Sequence, residues 1–357
     1  MQKKIRIAIN GFGRIGRLTA RNLISNYSDK IEIVAVNDLS SPENLAYLFK
    51  HDSTYHKFDQ SVKSTENGIL IGGDKLIRVC GEKDPALLPW KEMEIDTVLE
   101  CTGRFLTVEL ANLHILAGAK SVIISAPAKD KEILTVVQGV NVPTLYNYET
   151  IGSQFPDFEN LKKASIISNA SCTTNCMAPV LKVLHDNFGI ETLHGITTHA
   201  YTATQVLQDG PSHKAPRDGR AAMVNMIPSS TGAAKAVEIV IPELKGKLNL
   251  SCLRVPTITG SMVYMTINFK KPVTVELINS VLKKASLGDM ENIMNFSTEE
   301  LVSTDIIKES VSTTIDSLLT EVAPNNDKFV KIVIWYDNEW GYANRLAELC
   351  ILKNIIC

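Results

Sequence analysis

Residues 4–25 read "KIRIAINGFGRIGRLTARNLIS" and join two periodicities through a glycine-rich turn. The β-branched run at residues 5–9 predicts a short strand, because such side chains fit a pleated, packed surface. The residues after the turn repeat at helical spacing and predict an amphipathic helix. The apolar side of that helix would carry Ile15, Leu18, Leu23 and Ile24. A strand, a tight turn and a helix in this order begin a β-α-β unit.

The glycines of the turn follow the pattern Gly11-x-Gly13-x-x-Gly16. Small residues at this spacing permit a tight turn, close approach of the backbone to a pyrophosphate, and close packing of the helix on the strand. A diphosphate would lie at the helix N-terminus, where free N–H groups and the helix dipole favour negative charge. The pattern predicts a dinucleotide site; the alternative is a tight turn with no ligand.

Asp38 ends the next apolar run, "IEIVAVND", and follows Gly16 by 22 residues. A carboxylate at this point can accept hydrogen bonds from both ribose hydroxyls, and its charge would repel a 2′-phosphate. Asp38 therefore favours NAD over NADP as the cofactor. The other interpretation is that Asp38 only caps the turn that follows the strand.

Further alternation of strands and helices predicts the fold class. The segments "DTVLECTG" and "KSVIISAPA" have strand character, and "VELANLHILAGA" between them has helix character. This alternation indicates an α/β domain of the Rossmann type with a parallel sheet. Residues 141–163 lack periodicity and predict a loop with about one turn of helix. The second half mixes β-branched strands with helices and predicts an α+β domain with a mixed sheet.

The composition is that of an ordinary globular protein. The 357 residues suffice for two domains, and 45% of them are hydrophobic. The formal charge of −2 offers no positive field for nucleic acid or an anionic membrane, so neither is an expected partner. No apolar run suits a membrane span or a signal peptide. Seven scattered cysteines, an odd number, favour a reducing compartment, and we expect a cytoplasmic location.

The stretch "ISNASCTTNC", residues 167–176, surrounds Cys172 with hydroxyl groups at the start of a helical pattern that ends at Gly189. A helix N-terminus favours thiolate over thiol, which is typical of a nucleophile; the alternative is a small core residue. His199 ends another β-branched run and could act as the base of this thiol. It could equally be a packed or surface imidazole.

Three other residues have the chemistry of an anion site. Thr231 and Gly232 stand at a predicted helix start, where backbone N–H groups are free. Arg254 lies in a predicted strand just before a proline, and a guanidinium is suited to phosphate. Taken separately, Arg254 could also be a partner in an ordinary salt bridge.

Phrases from both halves occur in one order: "INGFGRIGR", "VNDL", "GAKSVIISAP", "SNASCTTNC", "HAYTATQ", "DGPS", "RDGRAA", "IPSSTGAAKAV", "IPELKGKL", "RVPT" and "WYDNEWGYANR". In this order, and along essentially the entire chain, they resemble the phosphorylating glyceraldehyde-3-phosphate dehydrogenase family. The series is highly specific because site phrases lie in both halves.

The resemblance implies a reaction and its catalytic residues. Cys172 would attack the aldehyde of glyceraldehyde 3-phosphate to give a thiohemiacetal, with His199 taking the thiol proton. A hydride would pass to NAD, and inorganic phosphate would cleave the resulting thioester to an acyl phosphate. The implied phosphate-binding residues are Ser171, Thr173, Thr231 and Gly232 for the attacking phosphate, and Thr202 and Arg254 for the substrate phosphate. The implied cofactor residues are Gly11, Gly13, Arg14, Ile15, Gly16, Asp38, Lys83, Ser125 and Asn338.

The resemblance also implies a domain division and an assembly. Residues 1–171 would bind NAD and be completed by a C-terminal helix at 338–357, while residues 172–337 would form the catalytic domain. The segment 201–226 resembles the loop that lines a neighbouring subunit's NAD site, so a homotetramer is expected. No metal is expected. Lys83 could instead be an ordinary solvated lysine.

The sequence departs from the family pattern in several places. Relative to that pattern we expect about fifteen extra residues between 142 and 163, a length that a surface tolerates. The phrases "DSTYHKF" and "PTITGSM" and the segment 305–316 also differ from the usual pattern, which leaves rate, stability and quaternary details open. Two other functions stay open as well: an erythrose-4-phosphate dehydrogenase, and a redox sensor that uses Cys172 only as an oxidisable thiol.

Overall fold

The structure is a computed structural model that describes residues 3–212 and 215–357. The chain separates into two compact units. The first comprises Met1–Val136, Val142–Ala170 and Ala343–Cys357, and the second comprises Val137–Asn141 and Ser171–Tyr342. Residues 213 and 214 of the predicted segment 201–226 lie outside the described residues.

The first unit is built on a mostly parallel sheet. Its strands are β1 (Ile5–Asn10), β2 (Ile31–Asn37), β3 (Val62–Thr65), β4 (Gly68–Ile71), β5 (Lys75–Cys80), β6 (Thr97–Glu100), β7 (Ser121–Ile124), β8 (Leu134–Thr135) and β9 (Ile166–Ser168). Their order in the sheet is β3-β4-β5-β2-β1-β6-β7-β9-β8. β1 pairs in parallel with β2 and β6, whereas β3, β4 and β5 pair antiparallel at one edge. The carboxyl ends of β1, β2 and β6 therefore meet at one edge of the sheet.

The turn after β1 requires glycine at two positions. Gly11 has a φ of +88°, and a Cβ there would lie 2.8 Å from the Thr102 amide nitrogen. A Cβ at Gly16 would lie 2.2 Å from the Gly11 carbonyl oxygen. The first helix therefore packs against the end of β1 at a distance that only glycine permits.

The helices of the first unit, before the chain enters the second, are α1 (Arg14–Asn26), α2 (Pro42–Lys50), α3 (Val108–Leu116), α4 (Tyr148–Ile151) and α5 (Phe158–Lys163). The predicted apolar side of α1 is confirmed for Leu18, Leu23 and Ile24, which are buried, while Ile15 is half-buried. The strands predicted from residues 5–9, from "IEIVAVND" and from "DTVLECTG" correspond to β1, β2 and β6.

Residues 142–163 contain more regular structure than predicted. They form α4, a 3₁₀ turn at Gly152–Gln154, and α5. Val142, Leu145 and Leu161 are buried in the main core of the first unit. The expected surface loop is therefore wrong: the segment contributes apolar side chains to the core, and a pattern this short has no visible helical period.

The second unit is built on a mixed sheet. Its strands are β10 (Ile190–Ala200), β11 (Ile227–Ser229), β12 (Leu248–Val255), β13 (Ser261–Phe269), β14 (Met294–Ser297), β15 (Thr313–Asp316), β16 (Glu321–Ala323) and β17 (Asn326–Tyr336). Their order is β11-β12-β10-β13-β17-β15-β14, with β16 paired to β17. β10 pairs in parallel with β12 and antiparallel with β13. Its helices are α6 (Cys172–Phe188), α7 (Ala233–Val240) and α8 (Val275–Ser286).

The last helix is α9 (Trp340–Ile355), which lies within the segment 338–357 that the resemblance implies to be helical. It is buried on nearly all sides, including the charged residues Arg345, Glu348 and Lys353. Arg345 pairs with Glu348, and Lys353 Nζ donates to the carbonyls of Leu161 and Lys162 at 2.8 Å each. Because these charged side chains have hydrogen-bond partners inside the protein, the helix can be buried without a solvent-exposed polar face.

The fold class predicted from the sequence is confirmed: a parallel α/β sheet is followed by an α+β unit with a mixed sheet. The helices of the described ranges include none with the length and apolarity needed to cross a membrane.

Candidate active site

Cys172 is the first residue of α6. Ser171 is the N-cap, and its Oγ accepts a hydrogen bond from the Thr174 amide at 3.1 Å. The helix ends at Gly189, whose φ of +69° is readily adopted by glycine, as the sequence predicts. The preceding Ala170 has a φ of +54°, an uncommon conformation that turns the chain sharply before the cysteine. The thiol thus stands at the positive end of a 17-residue helix.

His199 lies within reach of this thiol. Its Nε2 is 3.5 Å from Cys172 Sγ, and the imidazole is almost fully buried near the end of β10. The two residues are 27 positions apart in sequence, so tertiary folding brings them together. The sulfur and the imidazole are therefore at hydrogen-bond distance, which is the arrangement that a nucleophile and its base require.

Arg254 contacts the imidazole at its other ring nitrogen, Nδ1. Its Nη1 lies 2.6 Å from His199 Nδ1, and 3.2 Å from the carbonyl oxygen of Ala200. His199 Nδ1 is also 2.7 Å from that carbonyl oxygen. A guanidinium only donates, so its contact with Nδ1 suits the tautomer with the proton on Nε2, while the carbonyl suits the opposite tautomer. Arg254 and the Ala200 carbonyl therefore favour opposite protonation states of Nε2, the nitrogen that faces the sulfur, and only the tautomer with the proton on Nδ1 leaves Nε2 free to accept a proton.

Burial dominates the titration of this pair. Burial raises the pKa of the Cys172 thiol, and the charge of Arg254 lowers it only in part. Burial, together with Arg254, lowers the pKa of His199 to about 3. Both shifts favour the neutral thiol and the neutral imidazole, whereas the helix N-terminus alone favours the thiolate.

Tyr336 is a site residue that sequence reasoning missed. Its hydroxyl lies 2.9 Å from Thr173 Oγ1 and 3.0 Å from Thr197 Oγ1, and its ring packs edge-on against His199. It joins the start of α6 to β10, which positions the sulfur relative to the imidazole. The signal was present in the phrase "WYDNEWGY", but only the pairing of β17 with β13 places this residue beside the site.

Strand register brings one predicted phosphate residue, Arg254, beside the same pair. Arg254 is the parallel partner of His199 in the β10–β12 ladder, and Ile227 of β11 pairs with Arg254. Thr231 follows β11, and its Oγ1 accepts from the Ala233 amide at 3.2 Å. Gly232 caps α7, and a Cβ there would meet nothing within 4 Å.

Thr202 follows β10 but its hydroxyl is already engaged. Its Oγ1 lies 2.9 Å from Thr204 Oγ1 and 3.3 Å from Gln205 Oε1. Thr173 is similar, because its hydroxyl bonds Tyr336. These hydroxyls are therefore ordered by protein partners before any anion arrives.

A cleft lies in the first unit, at the carboxyl ends of β1, β2 and β6. Its volume is about 600 Å³. The predicted cofactor residues that line it are Gly11, Gly13, Asp38 and Lys83; the cleft is completed by Asn10, Asn37, Leu39, Glu82, Cys101, Thr102, Arg104 and Phe105. A cleft at the carboxyl edge of a parallel sheet is where this fold class binds ligands.

The other predicted cofactor residues of this unit lie outside the lining of the cleft. Arg14 begins α1, forms an ion pair with Asp52 and stacks on Tyr55. Gly16 packs beneath Gly11, and Ile15 packs against the core. Ser125 follows β7, and its amide donates to the Glu100 carbonyl at 2.9 Å.

Two family models match this chain. The NAD binding domain of glyceraldehyde 3-phosphate dehydrogenase matches residues 5–108, and the C-terminal domain of that enzyme matches residues 171–338. Similar proteins include glyceraldehyde-3-phosphate dehydrogenase from Escherichia fergusonii and from Salmonella typhimurium, and glyceraldehyde-3-phosphate dehydrogenase A from Escherichia coli K12. Each is 46% identical over 347 residues, covering 97% of this chain and 98% of the relative. This chain belongs to the glyceraldehyde-3-phosphate dehydrogenase family.

The cleft in the first unit fits the NAD that this family uses. Gly13 precedes α1, and a Cβ there would meet nothing within 4 Å, so the helix N-terminus is open to a diphosphate. Asp38 Oδ2 accepts from the Phe12 amide at 2.9 Å, and Oδ1 accepts from the Ser40 amide at 3.0 Å. Asp38 therefore caps the turn, as the alternative interpretation held, and also presents its carboxylate along the cleft.

Asn338 belongs to the second unit of this dehydrogenase and follows β17. It is buried, and its Oδ1 accepts from Ser261 Oγ at 2.8 Å and from Thr259 Oγ1 at 3.3 Å. Thr259 and Ser261 come from the departing phrase "PTITGSM", so that departure supplies partners for a predicted cofactor residue. Within residues 3–212 and 215–357, no group of three or more His, Cys, Asp or Glu side chains is placed to hold a metal ion.

Proposed function

We propose that this chain is an NAD-dependent, phosphorylating glyceraldehyde-3-phosphate dehydrogenase that converts glyceraldehyde 3-phosphate and inorganic phosphate to 1,3-bisphosphoglycerate. The observation that carries the proposal is the contact of Cys172 Sγ with His199 Nε2 at 3.5 Å, with Arg254 on the far side of the ring. A redox sensor would need the sulfur alone. A sulfur, a base and an anion-binding guanidinium in one place suit acyl transfer from a phosphorylated aldehyde.

In this mechanism Cys172 attacks the aldehyde carbon while neutral His199 accepts the thiol proton through Nε2, which requires the tautomer that donates Nδ1–H to the Ala200 carbonyl. His199 is then an imidazolium beside the new alkoxide and stabilises its charge. NAD, when bound, supplies the acceptor for the hydride that leaves this carbon. Cys172 then holds an acyl thioester, from which inorganic phosphate takes the acyl group and restores the sulfur.

We assign the two phosphates to two groups of residues in the second unit. Arg254 and Thr202 would hold the phosphate of the substrate. Ser171, Thr173, Thr231 and Gly232 would hold the attacking phosphate. Hydroxyl and backbone N–H donors suit this second position, because a cationic clamp that bound phosphate too tightly would slow product release.

For the cofactor we assign Gly11, Gly13, Arg14, Ile15 and Gly16 to the diphosphate turn, Asp38 to the ribose, and Lys83 and Ser125 to the adenine side. Asn338 would hold the nicotinamide through its carboxamide. Its engaged Oδ1 fixes the plane of that amide, which leaves Nδ2 as the group to present.

The domain division is a proposal of the same kind: residues 1–171 with helix 338–357 for NAD, and 172–337 for catalysis. We also propose a homotetramer, which is supported by the exposed apolar side chains of segment 201–226. Leu207, Val224 and Met226 are 81%, 77% and 70% exposed. The cytoplasmic location stays a prediction that rests on the cysteine usage.

The test is NADH formation from glyceraldehyde 3-phosphate, NAD and phosphate. We expect activity in the unchanged protein, its loss by several orders of magnitude in Cys172→Ser, and its retention in Cys80→Ser, a half-buried cysteine outside the cleft lining. Faster turnover of erythrose 4-phosphate would replace the proposed substrate. Full activity of Cys172→Ser, or peroxide reactivity of Cys172 without turnover of either aldehyde, would refute the proposed function.

A further inference from the structure

A buried polar network lies behind the dinucleotide cleft and takes no part in the steps above. Its members are Trp90, His114, Glu100, Asn10 and Asn37, and none is more than 5% exposed. They come from the ends of β1, β2 and β6, from α3 and from the loop before β6. Buried polar groups are expensive unless every donor and acceptor is paired, so the pairing can be followed atom by atom.

The tautomer of His114 follows from Trp90. The indole Nε1 is a donor only, and it lies 3.1 Å from His114 Nδ1, so Nδ1 must be the acceptor. The proton of a neutral imidazole is then on Nε2, which is 3.1 Å from Glu100 Oε2. His114 Nε2 is therefore the donor to Glu100 Oε2.

The backbone of Glu82 sets the orientation of two amide side chains. The Glu82 amide donates to Asn37 Oδ1 at 2.9 Å, so Asn37 Nδ2 is the donor to Asn10 Oδ1 at 2.7 Å. Asn10 Nδ2 must then point to Glu100 Oε2, at 2.5 Å. A flip of Asn37 would set donor against donor at the Glu82 amide, and a flip of Asn10 would do so at Asn37 Nδ2. Asn10 Nδ2 and His114 Nε2 lie 3.3 Å apart and share Glu100 Oε2 as their acceptor.

Glu100 is the point where these chains meet. Its Oε2 accepts from Asn10 and His114, and its Oε1 accepts from the Thr102 amide at 2.7 Å and from the Thr102 hydroxyl. All four groups are donors, which leaves no acceptor for a carboxyl proton. Asn10, Asn37, Glu82 and Thr102 all line the cleft, so one buried carboxylate orders the cleft wall on several strands at once.

We propose that Glu100 and His114 are positioning residues for the dinucleotide: the carboxylate, aligned by the imidazole, holds Asn10, Asn37 and Thr102 in the orientations that the bound cofactor requires. This inference rests on the proposed use of NAD in that cleft. A pre-ordered wall avoids the entropy cost of fixing these side chains during binding, so the network acts on affinity for the dinucleotide rather than on the chemistry at Cys172.

The decisive variant is Glu100→Gln, which keeps the shape and replaces one acceptor oxygen with an NH₂ donor. That donor must face either the Thr102 pair or the Asn10 and His114 pair, so the wall loses its order. We expect the dissociation constant of NAD, measured by calorimetric titration, to rise about tenfold or more. The kcat at saturating NAD and the rate of Cys172 alkylation without cofactor should change by less than about twofold.

Thr97→Val is the matched control. Thr97 is a buried residue of the same strand, and its hydroxyl lies 2.8 Å from Ser121 Oγ, outside the lining of the cleft. Its loss should lower stability without changing NAD affinity. A rise in the dissociation constant in Thr97→Val equal to that in Glu100→Gln would show a merely structural role and would overturn the proposal.

A second variant and a measurement on the unchanged protein cover the case in which Glu100→Gln does not fold. His114→Leu removes one donor to Glu100 and should also weaken NAD binding with little change in kcat. Nitrogen NMR of the unchanged protein should show His114 as the neutral Nε2–H tautomer, and a proton on Nδ1 would contradict the network. Failure of the unchanged protein to bind NAD would instead refute the proposed function, so the two failures are distinguishable.

Discussion

Three side chains of the second unit control the reactivity of the candidate active site. The sulfur of Cys172 and the ring of His199 are in contact, and Arg254 is the cation that both of them face. The charge of Arg254 lowers the pKa of the thiol and also that of the imidazole. Burial has the larger effect on both groups: it raises the pKa of the thiol and lowers the pKa of the imidazole. The state of the pair before catalysis therefore depends on a residue that the family resemblance assigns to phosphate.

Arg254→Met should move both titrations in the same direction. Removing the guanidinium removes a positive charge that lowers both pKa values, so the pKa of Cys172 and that of His199 should both rise. The midpoint of Cys172 alkylation by iodoacetamide, measured against pH without substrate, should shift upward. Arg220→Met, which breaks an exposed ion pair with Asp209, should leave it unchanged. A downward shift in Arg254→Met would contradict the proposed electrostatics.

The depressed pKa of His199 also predicts how stability changes with pH. The unfolded chain takes up a proton near the ordinary value of 6.5, whereas the native imidazole does so near about 3. The unfolded state thus binds more protons in this window, and native stability falls as pH decreases. Between pH 7 and pH 5 the protonation of this group in the unfolded state should lower the free energy of unfolding by about 2 kcal/mol.

Urea unfolding of the unchanged protein and of His199→Gln at both pH values measures this contribution. The free energy of unfolding of the unchanged protein should drop more than that of the variant. Equal drops in the two proteins would show that His199 has no depressed pKa.

Among the helices, α6 carries the nucleophile on its first turn, so the cap of this helix belongs to both stability and function. Ser171→Ala removes the acceptor for the Thr174 amide and should cost about 1 kcal/mol. Thr274 is the N-cap of α8, and its Oγ1 accepts a hydrogen bond from the Leu277 amide. Thr274→Ala removes this cap and should lower the free energy of unfolding by a similar amount. We expect only Ser171→Ala to raise the KM for phosphate. An equal rise in both variants would remove Ser171 from the phosphate site.

The helix α9 contacts the end of α5, in the segment 142–163 of the first unit. Lys353 donates to two carbonyls at the end of α5, and Lys353→Met would remove this donor from both, although the Lys162 carbonyl also accepts from Cys357 Sγ at 3.1 Å. We expect the free energy of unfolding to fall by about 2 kcal/mol in this variant. Amide hydrogen exchange across residues 148–163 should become faster. Lys163→Met, an exposed residue of the same helix, should change neither. Unchanged exchange in Lys353→Met would show that the segment is held by apolar packing alone.

For the whole molecule, the proposed homotetramer predicts a dependence on segment 201–226. Sedimentation velocity of the unchanged protein should give the mass of four chains. Val224→Asp should shift the distribution to smaller species, because a charge buried at an interface without a partner is strongly unfavourable. Lys235→Asp, at an exposed position on α7, is the control. A monomer in the unchanged protein would refute the assembly.

Local features were readable from the chain alone. The turn at Gly11 and Gly16, the strand β1, and the position of Cys172 at the start of α6 depend on neighbours a few residues away, so composition and spacing suffice to predict them. The candidate nucleophile and the carboxylate at Asp38 were found for the same reason. The other site residues were assigned from the family resemblance, which says nothing of the distances between them.

Packing between distant segments settled the rest. The register of β10 against β12 sets Arg254 beside His199, and the pairing of β17 brings Tyr336 to the same ring. The burial of α9, the packing of residues 142–163 and the Glu100–His114 network all need partners more than ten positions away. The protonation of Cys172 belongs here too, because local sequence reports the helix N-terminus whereas the larger effect, loss of solvent, exists only once the chain has folded around the sulfur.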